Sequence, residues 1–92
     1  MNKDQVLEVI NLYRNQLKLN GDKPEEAGHD LYPTRGEQRR HLLHMCDRME
    51  EMVMDDTRGE ELEKVMRWLG FMQGVFWSQG IYKLAEMRMH NR

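Results

Sequence analysis

The sequence predicts an all-α protein. The expected architecture is a small helical bundle built on an antiparallel helical hairpin over about residues 34–56 and 57–79, with an N-terminal helix and a short C-terminal helix. Three observations carry this expectation. Apolar residues recur every three or four positions along most of the chain, which gathers them on helix faces. Both prolines, Pro24 and Pro33, fall in one irregular segment with Gly21 and Gly28. No run alternates apolar and polar residues between Gly-rich turns as strands do.

The first helix is expected over about residues 4–19. Val6, Ile10, Tyr13 and Leu17 stand at i, i+4, i+7 and i+11, which is one helical face. Asp4 is its expected cap, and Asn20-Gly21 follows where a left-handed residue ends a helix. The connection over about residues 20–33 is irregular. Within it, Pro24-Glu25-Glu26 is expected to open one helical turn that Gly28 stops, since proline suits the first helical position and acids its positive end. The connection exceeds the usual helix–helix link, and such loops often carry function.

The second helix is expected over about residues 35–55. Thr34-Arg35-Gly36-Glu37 fits a capping box, the Thr hydroxyl accepting from the Glu37 amide and the Glu37 carboxylate from the Thr34 amide. Leu42, Met45, Cys46, Met49, Met52 and Val53 follow at helical spacing. The third helix is expected over about residues 58–79, opened by the same tetrapeptide, Thr57-Arg58-Gly59-Glu60, 23 positions later. Leu42, Leu43, Met45, Cys46 and Met49 align with Val65, Met66, Trp68, Leu69 and Met72, but the polar positions do not match. Two similar capping boxes explain this better than a duplication, and two capped helices on a short link make a hairpin. Gly80 is expected to stop the third helix, and Tyr82, Leu84, Ala85 and Met87 mark a closing helix over about 82–90.

Ninety-two residues suffice for one domain, so residues 1–92 are expected to form a single helical unit. Fourteen Lys and Arg against sixteen Asp and Glu give a net charge of −2, which argues against a general nucleic-acid binder. One cysteine precludes an intrachain disulfide and fits a reducing compartment. No apolar run approaches the roughly 18 residues that span a bilayer, and no secretory h-region follows Met1. A cytoplasmic protein with no membrane role is the expectation.

The stretch Met66-Arg67-Trp68-Leu69-Gly70-Phe71-Met72-Gln73-Gly74-Val75-Phe76-Trp77-Ser78-Gln79-Gly80-Ile81-Tyr82 resembles a pattern of small, mostly uncharacterised proteins of tailed bacteriophages. Arg39-Arg40-His41-Leu42-Leu43-His44-Met45-Cys46 and Met87-Arg88-Met89-His90-Asn91-Arg92 are similar to the same group. The resemblance covers roughly the C-terminal 55 residues and leaves out the first helix and the loop. It implies a phage or prophage product working in a bacterial cytoplasm, and it brings no reaction, ligand or functional residue with it.

His41-x-x-His44-x-Cys46 is the sharpest metal-like cluster. His41 and His44 share a helix face, but Cys46 turns about 200° away from His44 at 100° per residue. A two-His site completed by His29 or Asp30 is the remaining metal arrangement, and structural histidines are favoured over it because zinc normally takes four defined ligands. The paired acids Glu25-Glu26, Glu50-Glu51, Asp55-Asp56 and Glu60-Glu61 point about 100° apart on a helix and make no converging dyad. There is no Gly-rich phosphate loop, no nucleophile motif around the single serine, Ser78, and no Glu-x-x-His pair of the di-iron bundle type. No enzyme and no cofactor are expected.

Arg35, Arg39 and Arg40, with His29 and Tyr32, make a candidate site for a nucleotide or phosphate, joined by Lys64 and Arg67 if the hairpin brings them near. Solubility and surface ion pairs are the plainer explanation of the arginines. Gly70 and Gly74 stand mid-helix beside Phe71 and Trp77, each costing about 1 kcal/mol against alanine. Close approach of another helix is the expected compensation, within the chain or across a homodimer. Met45, Met49 and Met52 form an i, i+4, i+7 stripe, read first as core filler and second as an adaptable partner surface. A non-enzymatic protein-interaction module is the leading functional expectation, with a small-ligand binder or nucleotide sponge as the alternative. DNA binding by the second helix stands third.

Overall fold

A computed structural model of the chain describes residues 1–30, 32–56 and 59–92. Four helices follow in order: α1 (Lys3–Lys18), α2 (Arg35–Asp55), α3 (Leu62–Ser78) and α4 (Leu84–His90). No strand occurs among the described residues, and the molecule measures 36 × 29 × 22 Å.

Helix α1 is capped by Asn2 rather than Asp4. The Asn2 side chain accepts from the Gln5 amide and the Gln5 side chain accepts from the Asn2 amide, both at 2.9 Å. Asp4 then sits in the first turn, where its charge meets the positive helix end. Val6, Ile10, Tyr13 and Leu17 are all buried on one face, as their spacing predicts.

Helix α2 begins at the expected capping box. Thr34 Oγ1 accepts from the Glu37 amide at 3.1 Å, and Glu37 Oε1 accepts from the Thr34 amide at 3.2 Å. Backbone and hydroxyl donors of Thr34 hold the Glu37 carboxyl below its usual range. Lys3 Nζ reaches the Asp56 carbonyl at 2.6 Å past the end of α2, while Arg14 donates to the Cys46 carbonyl and pairs with Asp47 and Glu50. The start of α1 thus lies beside the end of α2, and the two helices run antiparallel.

Helix α3 starts later than expected. Thr57 and Arg58, half of the second capping box, lie outside the described residues. Gly59 has φ +76°, a left-handed conformation that does not belong in a helix. The amides of Glu60 and Glu61 instead donate to the Asp56 carboxylate, at 3.1 and 2.9 Å, and α3 begins at Leu62. The repeated tetrapeptide therefore opens one helix and not two. The end of α3 follows the sequence: Gly80 at φ +71° allows its amide to reach Trp77 O at 3.1 Å and the Ile81 amide to reach Phe76 O at 2.8 Å, a complete Schellman motif.

The hairpin of α2 and α3 is antiparallel. Arg35, at the start of α2, donates to Gln79 O at 3.1 Å, and Gln79 Nε2 donates to Gln38 Oε1 at 2.8 Å. Helix α4, two residues shorter at its start than expected, folds back so that His90 reaches Tyr13 of α1 and Asn91 reaches Gln73 of α3. The Tyr82 ring meets Tyr13, Phe76 and His90 at centroid distances of 5.6, 5.3 and 4.8 Å. Tyr13 and Phe76 are wholly buried beneath them, together with Leu42, Leu43, Met49, Val65 and Met72. Among the described residues no helix is long and apolar enough to cross a membrane.

Candidate functional site

Two surfaces collect the residues singled out in the sequence. One is a cleft where residues 22–30 lie against α2 and α3. The other is the outward face of α3.

The expected helical turn at Pro24 does not form. Residues 22–28 take no helical conformation, because their amides are used elsewhere. The Glu25 amide donates to Arg40 O at 3.1 Å and the Ala27 amide to His41 Nδ1 at 3.1 Å. Alternate amides of an extended segment point the same way, so the loop lies along α2. It encloses a cleft of about 440 Å³ lined by Glu26, His29, His41, His44, Met45, Trp68 and Phe71.

The histidines meet around Glu26. His29 Nε2 is 3.4 Å from Glu26 Oε1, and His44 Nε2 is 3.9 Å from Glu26 Oε2. The His41 and His44 rings are 5.9 Å apart. His41 Nδ1 accepts from the Ala27 amide, so the neutral ring carries its proton on Nε2. Burial, and next the neighbouring His44, hold His41 below its ordinary value. A metal at Nε2 would send that proton to Nδ1, against the Ala27 N–H, so His41 makes a poor ligand. Cys46 faces the core, with its thiol pushed up to about 12 by burial, and presents no thiolate. Among the described residues no three His, Cys, Asp or Glu side chains are placed to hold a metal ion.

The arginines hold the chain together. Arg39 Nε lies 3.5 Å from Asp22 Oδ2, and Arg39 Nη1 donates to Gln79 Oε1 at 3.2 Å. Arg40 lies 3.7 Å from Asp22 and 3.6 Å from Glu25. Arg35 donates to the Gln79 carbonyl. Tyr32 stands fully in solvent, and His29 turns to Glu26. The expected phosphate-binding cluster of His29, Tyr32, Arg35, Arg39 and Arg40 is therefore not assembled, since carboxylates of the loop already occupy Arg39 and Arg40. Lys64 and Arg67 lie at the opposite end of the antiparallel hairpin. Lys64 sits over the Trp68 ring at 5.6 Å and Arg67 pairs with Glu63 at 3.1 Å.

Of the methionine stripe, Met45 and Met49 are buried and Met52 is half-buried. Met45 and Met49 fill the core between the chain's own helices and offer no partner surface. Helix α2, considered as a DNA-reading helix, is the central one, packed on both α1 and α3.

The outward face of α3 differs. Phe76 is buried, whereas Phe71 is 56% and Trp77 58% exposed. Gly70 and Gly74 lie between them, and a methyl added at either would meet no atom within 4 Å. Among the described residues none covers these glycines, contrary to the close approach expected within the chain. Trp77 also borders a groove of about 300 Å³ with Gln73, Gly74, Leu84, Met87, Arg88 and Asn91.

Sequence reasoning missed three residues. Glu26 at the centre of the histidines was legible as Glu26-x-x-His29, a Glu-x-x-His pair in the loop. Asp22 and Asp56 carried no local signal, because each acts on residues that folding brings to it. The fold and these surfaces define a small all-α bundle whose third helix leaves Phe71 and Trp77 open to solvent. Compared with protein-family models, curated proteins and solved structures, the chain matches none.

Proposed function

We propose that the chain is a non-enzymatic protein-interaction module: a phage-encoded factor that binds a host protein or defence complex in the bacterial cytoplasm and modulates it. The observation that supports this reading most is the exposure of Trp77 beside Gly74 and Leu84, on a helix whose opposite face is wholly buried. Small helical proteins have few large apolar side chains to spare, and an exposed Trp bordered by small residues has the make-up of an interface hot spot. The phage origin rests on the resemblance of the C-terminal stretch.

The test is capture from bacterial lysate on the immobilised chain, with Trp77→Ala alongside. A stoichiometric protein held by the parent chain and lost with the variant is the expected outcome. Capture of nothing, or equal capture by both, ends the reading.

A second reading, a small-ligand binder, has one observation in its favour: the cleft between the loop and α3 has an aromatic wall of Trp68 and Phe71 facing Glu26 and His44. Such a mixture of apolar walls and a few polar groups suits small molecules. A thermal-shift screen of nucleotides, nucleobases and small amines tests it. A ligand at about 100 times its dissociation constant adds roughly 2.7 kcal/mol, and absence of any shift removes the reading.

A further inference from the structure

We infer that the cleft between the loop and α3 binds a small organic cation, a quaternary or alkylated ammonium ion. The inference rests on the small-ligand reading above and names the chemical class of the ligand.

The loop supplies the charge. Arg39 pairs with Asp22, and Arg40 pairs with Asp22 and Glu25. Glu26, which lines the cleft, has no Arg or Lys partner among the described residues. Its neighbours are imidazoles, His29 Nε2 at 3.4 Å from one carboxylate oxygen and His44 Nε2 at 3.9 Å from the other. A carboxylate only accepts, so a neutral imidazole donates to it and leaves its negative charge in place. The arginines of α2 thus neutralise the loop at Asp22 and Glu25 and leave Glu26 to the cleft.

Helix α3 supplies the wall. Trp68 and Phe71 stand three positions apart, share a helix face and both line the cleft, over the buried Met45. Aromatic ring faces attract a partly desolvated cation, the indole most strongly. The Trp68 ring already has the Lys64 ammonium 5.6 Å from its centroid, and Lys64 does not line the cleft. The cleft therefore joins a carboxylate to two aromatic rings and brings no ammonium or guanidinium of its own.

Other ligand classes fit this lining less well. An anion meets Glu26, while Arg39 and Arg40 are engaged by Asp22 and Glu25. A metal ion lacks three donors among the described residues. A neutral aromatic covers Glu26 without pairing its charge, which costs desolvation with no return. A quaternary ammonium sets its charge against Glu26 and its methyl groups against the rings, and needs no hydrogen bond. The cleft's volume of about 440 Å³ lies within the range of small-molecule sites.

The experiment is isothermal titration calorimetry on the full chain at pH 8. The probes are choline and 3,3-dimethyl-1-butanol, the uncharged analogue with carbon in place of the nitrogen. Choline is expected to bind saturably, and the alcohol at least about tenfold more weakly. Glu26→Gln and Phe71→Ser, both at exposed side chains, are each expected to weaken choline about fivefold or more. Met54→Ser, exposed on α2 and outside the cleft lining, leaves binding as it was. Absence of saturable choline binding up to about 10 mM, a range that detects even millimolar affinity, overturns the proposal. Equal binding of the alcohol overturns it too, as does choline binding that ignores both Glu26→Gln and Phe71→Ser. A neutral or anionic ligand from the thermal-shift screen that is lost with Phe71→Ser refutes the cation and leaves the small-ligand reading standing. No ligand in either experiment refutes both.

Discussion

The Tyr13 hydroxyl lies 3.0 Å from His90 Nδ1, joining the first helix to the last across 77 positions of sequence. It also accepts from Gln73 Nε2 at 2.9 Å, so a neutral His90 with a free Nδ1 lets one oxygen accept from α3 and donate to α4. Burial raises the Tyr13 phenol above its ordinary value, which keeps that proton in place. The ring meets Phe76 at a centroid distance of 4.8 Å, tilted by 58°. Tyr13→Phe keeps the packing and strands two partners, at a cost of about 1–2 kcal/mol. Urea unfolding measures the loss, and hydrogen exchange is expected to show α4 opening before the rest.

Asp56 is an N-terminal cap acting from the preceding helix, and it is nearly buried. Asp56→Ala is expected to cost about 1–2 kcal/mol, since the Glu60 and Glu61 amides lose their acceptor. Asp56→Asn keeps one acceptor oxygen and is expected to recover part of the loss in the same unfolding assay.

Gly74 is helical, exposed and meets no neighbour. Gly74→Ala is expected to raise stability by about 0.5–1 kcal/mol in urea unfolding. A fall in stability would show that the fold needs the glycine.

Cys46 is buried in the core. Its folded thiol, at about 12, stands above the ordinary 9.0, so its contribution to stability is complete below pH 9 and is lost as pH rises through that range. At pH 8 a disulfide reagent is expected to label Cys46 only at the rate of unfolding. Fast labelling of the folded chain contradicts this placement.

His41 is shifted the other way for a base. Its folded value lies below the ordinary 6.5, so the unfolded chain binds the proton first. The stability tied to neutral His41 is present above 6.5 and is lost as pH falls through the folded value. Protonated Nδ1 also faces the Ala27 N–H, donor against donor. Exchange of the Ala27 amide is expected to accelerate on acidification, and His41→Asn to flatten that dependence.

Spacing alone placed the buried face of α1, the Thr34–Glu37 cap and the Gly80 stop, because each rests on interactions within a turn or two of helix. The all-α class follows from the same short-range physics. Three things waited for the tertiary structure. Periodicity cannot choose between Phe76 and Trp77 on a helix apolar on several sides; the positions of α1, α2 and α4 chose, burying one and leaving the other bare. The arginines of α2 read as a ligand site until Asp22 and Glu25 arrived from the loop to neutralise Arg39 and Arg40. The second Thr-Arg-Gly-Glu read as a helix start until Asp56 took the Glu60 and Glu61 amides. In each case the deciding partner is a buried surface or a charge that the folded chain brings into reach, and a local pattern holds no record of it.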